Sequence, residues 1–135
     1  YNAFSGVMTD TVKQTAIVDQ IETIVTTNKY DGITIDFEGL NASDNPVLSG
    51  FMKLLYDRLH PKGKLVAIAV AAKTKDVTTG WSAAYDYAAL GAVTDYVLVM
   101  AYDYHWSMCV PGPIVPNDKQ RTLATYSSSR APART

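Results

Sequence analysis

Three short apolar segments, separated by nearly equal lengths of chain, constrain the fold most. The sequences GITIDF, KLVAIAV and DYVLVMA begin at residues 32, 64 and 95 and are rich in Val, Ile and Leu. Runs of this kind are typical of parallel strands that are covered on both faces. We therefore predict three buried strands, near residues 32–38, 64–71 and 95–102.

Helical patterns precede the first strand and separate the others. Apolar residues recur at helical spacing over residues 12–25 and 47–59, and a shorter helix is predicted over residues 82–90. Asp44 or Asn45 can cap the second helix, whose end is marked by a proline and a glycine. Three aromatic residues are expected to pack the third helix onto the sheet: Trp81, Tyr85 and Tyr87. A fourth helix is predicted to start near residue 118. The order α-β-α-β-α-β places the chain in the α/β class.

The spacing of the strands favours a barrel over an open sheet. The predicted strand starts at Ile33, Leu65 and Tyr96 are 32 and 31 residues apart. This is the repeat length of a (β/α)8 barrel, in which about 250 residues form eight units. Three strands cannot close a barrel, so we predict that residues 1–135 form one fragment of a larger domain. A small independent three-stranded domain is the alternative.

Composition narrows the possible functions. The 135 residues carry a net charge of −1, with 47% hydrophobic and 19% charged residues, which indicates a folded protein without a nucleic-acid surface. No stretch of 18 apolar residues predicts a membrane-spanning helix. With one cysteine, Cys109, and two histidines, we expect neither a disulfide within the chain nor a metal site. Because Tyr1 rather than Met comes first, we expect that the natural start is absent.

The first predicted strand carries the most informative side chains. Alternate residues of a strand share a face, so Thr34, Asp36 and Glu38 point one way while Ile33, Ile35 and Phe37 point the other way. Carboxylates two residues apart lie roughly 6–7 Å from each other along a strand. Their repulsion favours a proton on one of them, as general acid catalysis requires. A structural, salt-bridged acidic pair explains the residues equally well.

The stretch DGITIDFE resembles the acidic signature on the fourth strand of glycoside hydrolase family 18, the chitinase-like barrels. Asp31, Gly32, Asp36 and Glu38 match this signature, whereas Thr34 replaces its usual Asp. Downstream, VAIAVAAKT is similar to the fifth strand of the branch of this family that degrades the spore cortex. MAYD at residues 100–103 resembles the Met-x-Tyr-Asp of the sixth strand. The resemblance implies a partial (β/α)8 TIM barrel, from the third helix through the sixth strand and its following loop.

This resemblance also implies a substrate-assisted, retaining glycosidase mechanism. Glu38 is expected to act as the acid and then the base, while Asp36 orients the 2-acetamido group of the sugar, which is the nucleophile. Tyr102 is expected to bind the same acetamido group, and Asp103 to contact the sugar. Asp31 is expected to support the acidic strand. A strand-end pair with a packing role is the alternative for Tyr102 and Asp103.

Other residues are implied more weakly. Met100, Tyr104 and Trp106 are candidate substrate-binding residues, and packing in the barrel or under a loop is the alternative for each. A neutral Thr34 beside Asp36 predicts a changed pH dependence without loss of activity, because Thr34 cannot share a proton with its neighbour. Neither a metal ion nor an organic cofactor is expected.

The implied partner is a polysaccharide that contains N-acetylglucosamine, either chitin or peptidoglycan, with peptidoglycan favoured by the spore-cortex branch. We expect no nucleic-acid partner and no membrane insertion. The resemblance implies a location outside the cell, in the cell wall or the spore envelope of a bacterium. Two alternatives stay open: a carbohydrate-binding relative without catalysis, and an inactive piece of an enzyme.

Overall fold

The computed structural model describes residues 2–105 and 107–115 of the chain. In this part the helices are α1 (Asn2–Met8), α2 (Thr11–Thr27), α3 (Asn45–Leu59) and α4 (Tyr87–Ala92), and the strands are β1 (Gly32–Ile35), β2 (Leu65–Ala71) and β3 (Tyr96–Met100). Short 3-10 turns follow β1, α3 and β2. The predicted α/β class is confirmed. The fourth helix predicted near residue 118 lies outside the described residues.

The three strands form one parallel sheet in the order β1-β2-β3. Ile35 pairs with Ile68, and Ile68 pairs with Val97, so neighbouring strands are in register across the sheet. Gly32 pairs with Leu65 at a very close approach, where a Cβ atom on Gly32 would collide with the Leu65 carbonyl oxygen. Only glycine therefore fits at this position of β1.

Helices cover one face of this sheet. On that face Val66, Ile68 and Val70 of β2 are fully buried, and they join a single hydrophobic core with residues of α3 such as Leu48 and Phe51. The opposite face carries Tyr96 and Leu98 of β3, which are 59% and 49% exposed. Such large exposed apolar side chains are expected where a sheet lacks part of its covering layer.

The start of α2 carries a side-chain cap that was not predicted, and the glycine predicted at the end of α3 is confirmed. The Asp10 carboxylate accepts hydrogen bonds from the backbone N–H groups of Val12 and Lys13 at 3.0 and 3.2 Å, which starts α2. Gly63, with φ of 71°, ends the turn after α3 in the left-handed conformation. Asp44 precedes α3, but its carboxylate does not cap that helix and instead accepts a hydrogen bond from the Asn41 N–H at 2.8 Å.

The prediction of one continuous helix over residues 82–90 is wrong. The segment forms a 3-10 turn, Trp81–Ala84, and then the separate helix α4, Tyr87–Ala92. Tyr85 between them is extended, with φ of −104° and ψ of 100°. The Asp86 carboxylate then caps α4 by accepting from the N–H groups of Ala88 and Ala89. A buried contact of Tyr85, described below, accounts for this break.

Helix α1 has no counterpart among the predicted elements. Its sequence, NAFSGVM, contains an internal glycine, and seven residues are too few for a helix to be stable alone. Packing holds it in place, because Met8 is buried in the core and the Phe4 ring meets the Phe37 ring at 5.1 Å. None of the helices described in the structure is long and apolar enough to cross a membrane.

The strand limits differ from the prediction at their carboxyl ends. Strand β1 ends at Ile35 rather than near residue 38, and β3 ends at Met100 rather than near residue 102. The backbone pairing of β1 with β2 stops at Ile35, and the chain turns at Gly39, whose φ is 64°. Asp36 and Glu38 therefore lie just after β1, at the carboxyl edge of the sheet.

Candidate active site

The segment that follows β1 keeps the alternation of a strand. Ile35 is buried and Phe37 is partly buried, whereas Thr34, Asp36 and Glu38 are exposed. The predicted division of faces is thus confirmed over these residues, although the ladder of backbone bonds has ended. Neither carboxylate forms a hydrogen bond or an ion pair with a described residue. Both are accessible to a ligand at the carboxyl edge of the sheet.

Phe37 fixes this segment from the side of the core. Its ring packs against Phe4 of α1 at 5.1 Å and lies 5.8 Å from Phe51 of α3. These aromatic contacts hold the backbone between the two carboxylates. Because the neighbours of Phe37 must then point away from the core, Asp36 and Glu38 project from the open face.

Tyr85 supports the same segment through its backbone. The Tyr85 hydroxyl donates a hydrogen bond of 2.5 Å to the Phe37 carbonyl oxygen, which lies between the two acidic residues. Burial, together with the negative charges of Glu38 and Asp36, raises the pKa of Tyr85 to about 12. The phenol therefore stays protonated and keeps donating over the whole physiological pH range.

A second set of contacts fixes Tyr85 itself. Lys73 Nζ donates to the Tyr85 carbonyl oxygen at 2.5 Å and lies 4.8 Å from the centre of the Tyr87 ring. The Tyr87 hydroxyl donates to the Ala71 carbonyl oxygen at 2.7 Å. The carboxyl ends of β1 and β2 are thus both fixed by tyrosine hydroxyls. The prediction that Tyr85 and Tyr87 pack against the sheet is confirmed, but the sequence carries no local signal for either hydroxyl contact.

Alanines of β2 separate the acidic segment from β3. Ala67 pairs with Thr34 on one side and with Tyr96 on the other, and Ala71 pairs with Met100. The side chains of Ala69 and Ala71 lie on the same face of the sheet as that of Ala67. Since neighbouring strands lie about 4.8 Å apart, β1 and β3 are about 10 Å apart across these small side chains. These three alanines are themselves buried, with exposed fractions of 8%, 7% and 1%.

The chain that follows β3 supplies the remaining predicted residues. Met100 is partly buried, whereas Tyr102, Asp103 and Tyr104 are exposed. Asp103 has a φ of 61°, a left-handed conformation that Asp tolerates better than most residues. The Tyr104 N–H donates to the Ile114 carbonyl oxygen at 3.0 Å, which closes the loop after β3. Trp106 lies outside the described residues.

The structure gathers the predicted residues only in part. Asp36, Glu38, Tyr102 and Asp103 all follow the carboxyl ends of parallel strands, which meet at one edge of the sheet. Asp31 precedes β1 and lies at the opposite edge, where its carbonyl oxygen accepts a hydrogen bond from the Leu65 N–H at 2.9 Å. The structure therefore does not bring Asp31 next to the two carboxylates that it was expected to support.

An open depression borders the acidic segment. Its volume is about 590 Å³, and its described lining consists of Glu38, Gly39, Leu40, Asn41, Ala42, Gly80 and Trp81. Trp81 is 45% exposed, so the prediction that it packs a helix onto the sheet is wrong for this residue. Its ring meets the Tyr85 ring at 6.0 Å and 85°. In the described part of the chain, no group of three or more His, Cys, Asp or Glu residues could hold a metal ion.

Parallel α/β enzymes of the barrel type keep their catalytic groups at the carboxyl edge of the sheet, where these carboxylates lie. Comparison with known proteins defines the class further. The family model described as "Glycosyl hydrolases family 18" matches residues 1–131. The chain belongs to glycosyl hydrolase family 18. The resemblance drawn from the acidic signature and from MAYD is thereby confirmed.

Individual relatives agree with this assignment. The sporulation-specific glycosylase YdhD of Bacillus subtilis is 38% identical over 128 residues, which cover 95% of this chain and 30% of YdhD. The cortical fragment-lytic enzyme of Bacillus subtilis is 30% identical over 105 residues, which cover 77% of this chain and 24% of that enzyme. These relatives confirm the similarity to the spore-cortex branch.

Solved structures show the same fold. The crystal structure of YdhD superposes with a TM-score of 0.88, covering 95% of this chain and 42% of that chain. A class V chitinase from Pseudomonas fluorescens Pf-5, 31% identical, also gives a TM-score of 0.88, covering 96% of this chain and 41% of that chain. The chain spans 24% to 38% of the length of the first three curated relatives that it matches.

Proposed function

We propose that this chain is the central part of a (β/α)8 barrel whose carboxyl edge is the active site of a glycosidase. The enzyme cleaves β-linked N-acetylglucosamine polymers. The observation that carries the proposal is the exposure of Asp36 and Glu38 at the carboxyl edge of a parallel sheet, on a segment fixed by Phe37 and Tyr85. Family membership supports the class of reaction.

The exposure of apolar side chains on one face of the sheet supports the proposal that the chain is part of a barrel. Tyr96 and Leu98 are about half exposed on the face that carries the acidic residues. In a closed barrel this face is the interior, which layers of side chains from other strands fill. The three strands are then the fourth, fifth and sixth of eight, and residues 1–135 lie within one catalytic domain.

Glu38 supplies the proton. It protonates the glycosidic oxygen as the bond breaks, and it later removes a proton from the incoming water. The nucleophile is the oxygen of the substrate's own 2-acetamido group, which attacks the anomeric carbon from the opposite side. Since the first displacement and the attack by water each invert this carbon, the product retains its configuration.

Asp36 and the residues after β3 hold the reacting sugar. Asp36 accepts a hydrogen bond from the acetamido N–H and offsets the positive charge that develops in the oxazolinium-like intermediate. Tyr102 donates a hydrogen bond to the acetamido group from the side of β3, and Asp103 contacts the sugar. The alanines of β2 lie between the segment after β1 and the segment after β3.

The remaining residues have supporting roles. Met100, Tyr104 and Trp106 contact the substrate, and Thr34 sets the charge next to Asp36. Asp31 supports β1 and its acidic residues from the far edge of the sheet, where its carbonyl oxygen accepts a hydrogen bond from the Leu65 N–H. The names of the relatives, a sporulation-specific glycosylase and a cortical fragment-lytic enzyme, favour peptidoglycan over chitin as the substrate. We place the protein in the cell wall or spore envelope of a bacterium.

The test compares the complete barrel with its Glu38→Gln variant. Both proteins are incubated with purified peptidoglycan and with chitin oligosaccharides, and the products are identified by mass spectrometry. Cleavage by the unmodified barrel, reduced at least about 100-fold in the variant, is the expected result because the amide cannot donate the proton. The polymer that is cut identifies the substrate.

Two other results would contradict the proposal. If neither protein cut either polymer but both bound it, the site would be a carbohydrate-binding site and Glu38 would not be an acid catalyst. If both proteins cut the polymer equally fast, Glu38 would not be the acid catalyst of the reaction. An unfolding curve of each protein serves as the control for folding.

A further inference from the structure

Asp44 is a buried acidic residue that the proposed mechanism does not use. Its exposed fraction is 2%, and apart from two tyrosines the other buried polar residue in the described part of the chain is Thr94, at 1%. None of the ion pairs between described residues includes Asp44. Burying a carboxylate without a cation is costly unless hydrogen bonds compensate for the lost water. The hydrogen bonds that Asp44 accepts must therefore stabilise it.

The two carboxylate oxygens of Asp44 join two distant segments. Oδ1 accepts a hydrogen bond from the Ser5 hydroxyl of α1, and Oδ2 accepts one from the Asn41 N–H at 2.8 Å. Ser5 lies 39 residues before Asp44 in the chain. Asn41, in contrast, belongs to the segment that directly follows Glu38. Asp44 thus connects helix α1 to the chain that leaves the proposed acid catalyst.

The chain between Glu38 and Asn41 lies beyond the backbone ladder of β1, and it turns at Gly39, whose φ is 64°. Glycine allows a wider range of backbone angles than any other residue, so the turn alone does not fix the position of Glu38. After the turn, the Leu40 side chain is buried in the core and the Asn41 N–H bonds to Asp44. The buried carboxylate therefore fixes the backbone just after the turn.

We propose that Asp44 is a positioning residue for Glu38, which acts through the Asn41 N–H and is itself held by its contact with α1. This rests on the proposed function, in which Glu38 protonates the glycosidic oxygen. The Tyr85 hydroxyl fixes the backbone before Glu38, at the Phe37 carbonyl oxygen, and Asp44 fixes it after Glu38. An acid catalyst must reach hydrogen-bond distance of the atom that it protonates, so a displaced backbone slows protonation.

The experiment uses the leaving group of the substrate to measure acid catalysis in the complete barrel. Chitotetraose releases a sugar, whose oxygen must be protonated as the bond breaks. The 4-nitrophenyl glycoside of diacetylchitobiose releases nitrophenol, whose anion is a much weaker base and needs less help from an acid. The parameter kcat/KM is measured on both substrates, because it includes the step that breaks the glycosidic bond. A displaced Glu38 should lower the ratio of kcat/KM for chitotetraose to that for the nitrophenyl glycoside.

The Asp44→Asn variant keeps the size of the side chain but only one acceptor oxygen. The ratio is expected to fall at least about fivefold in Asp44→Asn, and about two- to threefold in Ser5→Ala, which leaves the Asn41 N–H its acceptor. Thr94→Val is the matched control at the amino edge of the sheet. It removes another buried hydrogen bond, from the Thr94 hydroxyl to the Leu90 carbonyl oxygen at 2.9 Å. This variant should have a lower Tm and an unchanged ratio.

Glu38→Gln separates a failure of this inference from a failure of the proposed function. If Glu38→Gln left the ratio unchanged, the proposed function would fail and the inference with it. If Glu38→Gln lowered the ratio but Asp44→Asn lowered kcat/KM equally on both substrates, or on neither, Asp44 would serve the fold alone and the inference would be overturned. Should Asp44→Asn not fold, Ser5→Ala decides, because a ratio equal to that of the unmodified barrel would overturn the inference.

Discussion

At the amino edge of the sheet the Asp95 carboxylate is almost buried, whereas at the carboxyl edge Asp36 and Glu38 are exposed. Asp95 accepts a hydrogen bond from the Val66 N–H at 2.8 Å and lies 3.3 Å from His60 Nδ1. Its contacts connect the start of β3 to the start of β2. The two exposed carboxylates bond to no described residue. The same kind of side chain is therefore used for structure at one edge and left available for a ligand at the other.

This difference matches the division of labour in barrel enzymes, in which the amino edge contributes stability and the carboxyl edge contributes catalysis. At the amino edge, Gly32 packs tightly on Leu65, and Lys64 Nζ donates to the Tyr30 carbonyl oxygen at 2.8 Å. At the carboxyl edge, Asp103 holds a left-handed φ. Substitutions at the carboxyl edge should therefore lower activity, whereas substitutions at the amino edge should lower stability.

The largest effect is expected for Asp36→Asn. In the proposed mechanism Asp36 offsets the charge of an oxazolinium-like intermediate. Because the amide carries no negative charge, kcat should fall about 10²–10³-fold, with a much smaller change in KM. The measurement is steady-state kinetics of the complete barrel on chitotetraose. A kcat within threefold of the unmodified enzyme would remove Asp36 from the mechanism.

Asp95→Ala should show the opposite behaviour at the amino edge. The buried Val66 N–H loses its acceptor, so the free energy of unfolding should fall by about 1–3 kcal/mol while kcat stays unchanged. Urea unfolding followed by circular dichroism measures the loss. Asp95→Asn keeps an acceptor oxygen and is the matched control, with a smaller loss expected. If kcat and the free energy of unfolding both fell in the two variants, the amino edge would contribute to activity as well as to stability.

Tyr85→Phe tests the support of the acidic segment through its pH dependence. Burial and the neighbouring carboxylates raise the pKa of Tyr85 to about 12, from the ordinary value of 10 in the unfolded chain. The folded state thus favours the protonated phenol. This stabilisation is fully present below pH 10 and is lost as the pH rises through 12.

The variant has no phenol to ionise at this position. The difference in the free energy of unfolding between the unmodified barrel and Tyr85→Phe should therefore shrink by about 2 kcal/mol from pH 9 to pH 12. Urea unfolding at a series of pH values measures it, with the exposed Tyr30→Phe as the control. A constant difference would mean that Tyr85 ionises as it does in the unfolded chain.

The smallest effect is expected for Thr34→Asp. A third carboxylate beside Asp36 repels its charge, so the acidic limb of the pH–rate profile should move upward by less than about one pH unit. The maximal rate should change little. Thr34→Asn, which adds no charge, is the control. Identical profiles for all three proteins would show that position 34 does not act on Asp36.

The sequence predicts the strands and the acidic face because both depend on local patterns. Alternation assigns Asp36 and Glu38 to one face, and it holds even after the β1 ladder stops at Ile35. The end of that ladder is set by pairing with β2 and by the turn at Gly39, which the alternation does not encode. Alternation in the sequence therefore assigns residues near the end of a strand to the correct face of the sheet. It does not show whether those residues still belong to the strand.

The support of the site could not be read from local patterns. Tyr85 bonds to a carbonyl group 48 residues away and breaks the helix predicted across it. Trp81 is exposed, and its ring meets the edge of the Tyr85 ring at 6.0 Å. The position of Tyr85 is thus set by a contact between distant segments, and Trp81 contacts Tyr85 within the same segment.

The central claim is that Glu38 serves catalysis rather than the fold, and the stability of Glu38→Gln tests it most directly. Functional carboxylates held close together cost stability, so removing one charge should leave the free energy of unfolding unchanged or raise it by up to about 1 kcal/mol. Urea unfolding and kcat of Glu38→Gln are measured on one preparation of the complete barrel. We expect an inactive protein of at least normal stability. A loss of stability as large as that of Asp95→Ala would contradict the claim and make Glu38 a structural carboxylate.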